Sequence, residues 1–189
     1  MGAHPPQAAE RVAGRGQDRL VPGGGGQRLA ASAKRGAHTG RNPTDRGKKG
    51  SKHHLLTDAQ GLPLAVTLTA ANRHDVTQLL PLVDQIPPIA GKPGRPRHRP
   101  ERVQGDRAYD SQPHRRELRH RGIAAVLARR GAEHGSGLGT TRWVVERTLS
   151  WLHQFRRLRT RWERRADIHQ AFLTLACILI CCDFAVRLL

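Results

Sequence analysis

Apolar positions in HHLLTDAQG and LPLAVTLTAA follow a period of two: Leu64, Val66 and Leu68 alternate with Ala65, Thr67 and Thr69, and turn residues Asp58 to Gly61 separate the runs. Alternation of this kind marks strands with one face buried, so the pair predicts a hairpin. Past NRHD, Val76, Leu79, Leu80 and Val83 fall at helical spacing, with Asp75 placed as a helix cap and Pro81 set to bend or restart the helix. A short strand is expected around Arg102 to Asp106, a charged helix near His114 to Arg121, and another strand from Ile123. After the flexible GAEHGSGLG, TTRWVVERTLSWLHQFRRL predicts a long helix, and an apolar helix closes the chain. This order of elements predicts a mixed α/β domain whose last helices pack on a central sheet.

Two regions depart from these patterns. Residues 1–34 contain many Gly, Ala, Arg and Pro, including Gly23 to Gly26, with neither period, and no stable structure is expected there. The domain is therefore placed at 35–189. Near the other end, the uncharged run Ala171 to Cys182 falls short of the roughly 20 residues that span a bilayer, so a buried helix is predicted. The opening MGAHPPQAAERVAGRG lacks the apolar core of a secretory signal. Cys177, Cys181 and Cys182 share one apolar stretch with no second cluster to pair with, which reads as small buried hydrophobes in a reducing compartment. A cytoplasmic protein without a membrane partner follows.

Charge then narrows the partner. Lys and Arg number 33 against 15 acidic residues, a formal charge of +18. Each phosphate neutralised by such cations releases counterions, so nucleic acid is the expected ligand. The arginine runs Arg95 to Arg102 and Arg156 to Arg165 are the candidate contacts, and Trp143, Trp151 and Trp162 are candidates for base stacking, although Trp151 falls on an apolar helix arc. A metal site at His53, His54 and His74 is disfavoured, because adjacent strand residues point to opposite faces.

In this basic background stands Asp106, within RVQGDRAYDS. Forty residues on, Arg142, Glu146, Leu149 and His153 fall within roughly 60° of one another on a helical wheel, opposite Val144, Val145, Trp151, Leu152 and Phe155. Glu146 could simply join i, i+4 ion pairs worth about 0.2–0.5 kcal/mol each. Alternatively, it meets Asp106 across the fold, where two carboxylates suit hard divalent ions used in phosphodiester cleavage.

GDRAYD (105–110) and RWVVERTLSWLHQFRRL (142–158) closely resemble the second and third motifs of DDE transposases of bacterial insertion sequences, of the family-five type. TGRNPTDRGKKGSKHHLLTDAQGLPLAVTLTAANRHDVTQLLPL (39–82) resembles the stretch that joins that family's first motif to its second. The resemblance implies an RNase H-like mixed sheet flanked by helices, and magnesium- or manganese-dependent cutting and joining of double-stranded DNA at transposon ends and target by a homo-oligomer. It assigns Asp106 and Glu146 as catalytic metal ligands, and Arg142, His153, Arg156 and Arg157 to the DNA. His153 stands where many members carry lysine, which implies a weaker, pH-dependent hold on phosphate.

The family's first aspartate, in a pattern like VDGS, would fall near Gly25, and no aspartate is there. Asp18 has no matching context, Asp45 and Asp58 lie in turn-like sequence, and Asp75 precedes a helix. The fold is thus expected to be incomplete at its first strand, with residues 1–34 translated out of frame and the chain inactive in cleavage by itself. A non-catalytic basic nucleic-acid-binding protein is the alternative.

Overall fold

The computed structural model describes residues 21–23, 29–32, 36–43, 46–89, 96, 99–129, 131 and 139–187; side chains are described from residue 30, and in the segment beginning at residue 139 from Trp143. Asp18, Gly25, Asp45, most of the proline-rich basic loop and most of GAEHGSGLG lie outside these residues. The strands are β1 (Val21–Gly23), β2 (Leu29–Ser32), β3 (Gly40–Arg41), β4 (Lys49–Thr57), β5 (Pro63–Ala70), β6 (Arg102–Gly105), β7 (Ala124–Leu127) and β8 (Thr160–Arg161). The helices are α1 (Leu79–Asp84), α2 (Gln112–His120), α3 (Gly139–Leu152), α4 (Arg156–Arg159) and α5 (Ala166–Val186). A mixed α/β architecture is therefore present, as expected.

β4 organises the sheet. It pairs antiparallel with β5 over most of its length, as the alternating pattern predicted, and with β1, β2 and β3. β2 also runs parallel to β8, and β6 and β7 form a parallel pair that packs beside β1. The expectation of no structure over residues 1–34 is corrected for Val21–Gly23 and Leu29–Ser32, which are strands; the rest of that stretch lies outside the described residues. Neither shows a period of its own; backbone hydrogen bonding to β4 defines them, and a sequence pattern does not report that. The first strand is present but divided. From Gly23 to Leu29 the chain advances six residues while β4 advances three, from Leu55 to Lys52.

Successive residues of β4 serve opposite faces of the sheet. Leu56 joins Leu79, Leu82, Val83, Val103, Tyr109, Leu118 and Leu127 on the side of α1, α2, β6 and β7. Leu55 joins Val145, Leu149, Leu152, Leu158, Leu173 and Ile180 on the side of α3, α4 and α5. Both leucines are fully buried, each contributing about 1.5–3 kcal/mol. The result is a sheet covered on two faces.

Several boundaries differ from the sequence reading. Asp75 does not cap α1: it opens a 3-10 turn (Asp75–Gln78), and its buried carboxylate meets Lys52 Nζ at 2.9 Å. Pro81 falls in the first turn of α1, where a missing N–H costs no intrahelical bond, so the helix starts there without bending. The long helix ends at Leu152; a turn over His153 to Phe155 separates α3 from α4. Leu149, placed on the polar arc by the wheel, is buried. α5 is longer than the uncharged run and by length and composition reaches a membrane span. One side of it is nevertheless core, with Gln170 Nε2 donating to Val66 O at 3.0 Å, while Leu175, Ile178 and Leu179 are exposed. Cys177 is buried, which pushes its thiol up to about 12, but Cys182 is exposed.

Arg161 is the largest fully buried side chain. Its Nη1 donates to Ser51 Oγ and His38 O at 2.8 and 3.2 Å, its Nη2 to Ala37 O and Arg164 O at 2.8 and 3.2 Å, and its Nε to Glu163 O at 3.0 Å. Replacing it with Met removes the Arg161 donor from four carbonyls, of which His38 O keeps the Ser51 hydroxyl, so Arg161→Met should lower unfolding stability by about 3 kcal/mol, with Arg161→Lys recovering only part. Urea titration measures both; a wild-type midpoint for Arg161→Met would contradict the clamp.

The β4–β5 turn supplies a second test. Gly61 has φ +93°, and a Cβ there would sit 2.9 Å from Thr148 Oγ1 and 3.1 Å from Val144 Cγ1 of α3. Gly61→Ala is expected to cost about 1–3 kcal/mol, read as a lower urea midpoint.

Candidate active site

The segment GDRAYD is built to hold one carboxylate still. Gly105 ends β6 where β7 comes close: a Cβ at that position would lie 2.9 Å from Leu127 Cδ2. Asp106 follows, half-buried, and its Oδ1 accepts the Ala108 N–H at 2.9 Å, capping a 3-10 turn over Arg107–Tyr109. Tyr109, the one tyrosine of the chain, is buried, with its hydroxyl 3.1 Å from His54 Nδ1; His54 Nε2 in turn lies 2.7 Å from Thr69 Oγ1. Asp110 accepts Arg115 Nε at 2.7 Å, and Arg115 Nη2 donates to Leu127 O at 2.8 Å. Each end of the Asp106 turn is thereby tied to a strand.

Glu146 is exposed on α3. The helix is fixed in register by the β4–β5 turn: Thr148 Oγ1 donates to Gly61 O at 2.8 Å, and Arg147 donates to Gln60 O. Arg147 also lies between two indoles, its guanidinium 4.7 Å from the ring centres of both Trp143 and Trp151. Such stacking holds an arginine by cation–π attraction and stiffens the face that presents Glu146.

β1 packs against both β6 and α3. The strand that leads into Asp106 and the helix that carries Glu146 therefore converge on one short segment, Val21–Gly23. In sequence, no Asp or Glu occurs from Arg19 to Thr44, a run that includes β1 and β2. Among the described residues, no three His, Cys, Asp or Glu side chains are grouped as a metal ion would require.

The remaining candidates divide. Arg156 and Arg157 are exposed, and Arg157 Nη1 pairs with Glu163 Oε1 at 2.8 Å. The side chain of Arg142 lies outside the described residues. His153 turns toward the interior, edge-on to His53 with ring centres 5.6 Å apart. Within the second arginine run, Arg161 is buried and withdrawn from any ligand.

A buried histidine network accounts for this inward turn, and sequence reading missed it. Glu163 Oε2 lies 3.1 Å from His169 Nδ1, and His169 Nε2 lies 3.0 Å from His53 Nε2. With Glu163 ionised, His169 donates through Nδ1, so its Nε2 must accept from His53 Nε2–H. His53 and His54 do face opposite sides of the sheet, as period two requires. Burial, then the neighbouring His169, His153, His54 and Arg161, hold His53 well below the usual imidazole range. Burial likewise lowers His169 against the pull of Glu163. It lowers His54 to about 4, with Asp75 opposing and Lys52 assisting. Burial, then Asp75 and Asp106, push the Tyr109 phenol well above its ordinary value.

Comparison with known proteins places this geometry in a family. The model of the "Transposase DDE domain" matches residues 16–181. A protein of Burkholderia cepacia named "Putative transposase for insertion sequence element IS402" is 57% identical over 183 residues, 96% of this chain and 86% of that protein. The chain belongs to the DDE transposase family. A second relative, the "Transposase for insertion sequence element IS1106" of Neisseria meningitidis serogroup B, is 28% identical over 117 residues, 57% of this chain and 37% of that protein. The sheet covered by helices is the mixed α/β fold expected of an RNase H-like DDE transposase domain. Family sequence begins upstream of residue 34, since the matching region opens at residue 16.

The histidines make a pH prediction for this transposase fold. His53, His54 and His169 have folded pKa values below the unfolded value of about 6.5. Below pH 6.5 the unfolded chain binds more protons, so stability is full above that pH and declines beneath it, the His54 part being lost by about pH 4. Melting temperature should be flat from about pH 7 to 8 and fall steadily below about 6.5. His54→Gln should flatten that fall in part, and an unchanged slope would argue against His54 as a contributor.

Proposed function

We propose that this chain is the catalytic domain of an insertion-sequence transposase, with Asp106 and Glu146 as two members of the three-carboxylate site with which its family cuts and joins DNA. The observation that carries this reading is the convergence of β6 and α3 on β1, which ends two residues before the position near Gly25 to which the resemblance assigns the first aspartate. The ligand is double-stranded DNA at transposon ends and target, held by Arg156, Arg157 and Arg142. His153, turned onto His53, supports the core rather than the phosphates.

Magnesium or manganese would be the ion of the complete site, since hard carboxylate oxygens suit both. The residues present do not make that set. Two carboxylates remain, and the first strand offers none between Arg19 and Thr44. Asp106 also commits one oxygen to the Ala108 amide. This chain therefore binds a divalent ion weakly and works as a DNA-binding member of its family, without cleavage of its own.

The cytoplasm is the proposed compartment, in keeping with the free thiols. A homo-oligomer is the proposed working form, and the exposed apolar residues Leu175, Ile178 and Leu179 on α5 support it, because they give a +18 chain an uncharged surface for self-association.

Two outcomes test the reading. The purified chain should leave supercoiled plasmid uncut in magnesium or manganese; cleavage that Asp106→Ala abolishes would overturn the incomplete site. Duplex affinity should drop at least about tenfold between 50 and 200 mM salt, measured by anisotropy of a labelled duplex, as expected when several phosphates are neutralised.

A further inference from the structure

Trp162 follows the buried Arg161, and neighbouring residues in extended chain point to opposite sides. Arg161 is fully enclosed, while Trp162 leaves 53% of its surface exposed. The backbone around the indole is fixed, because Arg161 donates to Glu163 O and Arg164 O at 3.0 and 3.2 Å, bracketing residue 162. A rigid frame thus presents a large aromatic ring to solvent.

That ring lines a cleft of about 450 Å³ with Arg156 and Arg157. The volume lies within the roughly 300–1,000 Å³ of clefts that accept small organic groups. Arg157 is aimed by two contacts, its ion pair with Glu163 at 2.8 Å and its position 5.5 Å over the Phe172 ring. Glu163 offsets part of its charge, and Arg156 beside it adds a second exposed guanidinium. The other two indoles differ, since Arg147 already stacks on Trp143 and Trp151.

We propose that this cleft binds an unpaired nucleobase of single-stranded DNA, with Trp162 stacking on the base and Arg156 and Arg157 taking the flanking phosphates. The proposal rests on the DNA-binding reading above and specifies the form of DNA. In a duplex both faces of every internal base are already stacked, so a duplex reaches only the arginines. An unpaired base offers a free π-face, and stacking on an aromatic side chain tolerates any base. The transposase would in this way hold strands that have been opened or frayed.

The test compares a labelled oligothymidylate with a duplex of equal length, by anisotropy, on the full chain. Trp162→Ala should weaken single-strand binding about 5- to 150-fold, while duplex binding stays within about twofold. Trp162→Phe should restore most of the loss. Arg156→Gln should weaken both forms and reduce the salt slope by about one. Thermal unfolding of each variant confirms the fold, which an exposed side chain leaves intact. Duplex binding that persists with no single-strand loss in Trp162→Ala, or an equal loss on both forms, overturns this inference alone. Absence of salt-dependent binding to either form overturns the DNA-binding reading and this inference together.

Discussion

The fold depends on a single buried guanidinium. Arg161 gathers two carbonyl-bearing segments, Ala37–His38 and Glu163–Arg164, and adds the Ser51 hydroxyl of the central strand. Its charge is dispersed over carbonyl dipoles, which lets it remain buried without a directly bonded carboxylate; burial still lowers its pKa. Because β8 pairs with β2, the clamp also fixes the outer part of the divided first strand to β4. The chain connections before β3 and before α5 are therefore set by one side chain, and α5 can lie along β5.

From that frame the rest of the domain follows by alternation along β4. Odd positions His53 and Leu55 face α5, and even positions His54 and Leu56 face the loop of Asp106. Each histidine is a buried polar residue on its face, and each is hydrogen-bonded to a group across the core. His54 reaches Tyr109 and thereby steadies the Asp106 turn; His53 reaches His169 and the start of α5. The same two-sided strand thus supports the Asp106 turn on one face and, on the other, the helix that carries Glu146 and the residues around His169. Excess charge is left on the surface, where it is suited to polyanion binding and adds little to stability.

Much of the candidate site was legible in sequence because it is local. GDRAYD contains its own glycine for the close approach to Leu127, its own cap in Asp106, which accepts the Ala108 N–H, and its own anchor at Tyr109. The β4–β5 hairpin was equally legible, because one buried face imposes an alternation. β1 and β2 were not, since they are short segments made into strands by hydrogen bonds to β4, and VPG and LAAS carry no alternation of their own. The end of α3 at Leu152 was also hidden, because what interrupts it is the packing of His153 on His53, a hundred residues earlier in the chain.

Sequence alone determined the alternation of elements, the basic surface, the positions of Asp106 and Glu146, and the lack of a carboxylate between Arg19 and Thr44. Each of these depends on residue identity or on short-range spacing. Tertiary structure decided which arginine was withdrawn into the core, which histidines were neutralised by burial, and that β6 and α3 meet on β1. Those outcomes depend on the desolvation of particular side chains and on contacts between distant segments, and neither quantity exists until the chain has folded.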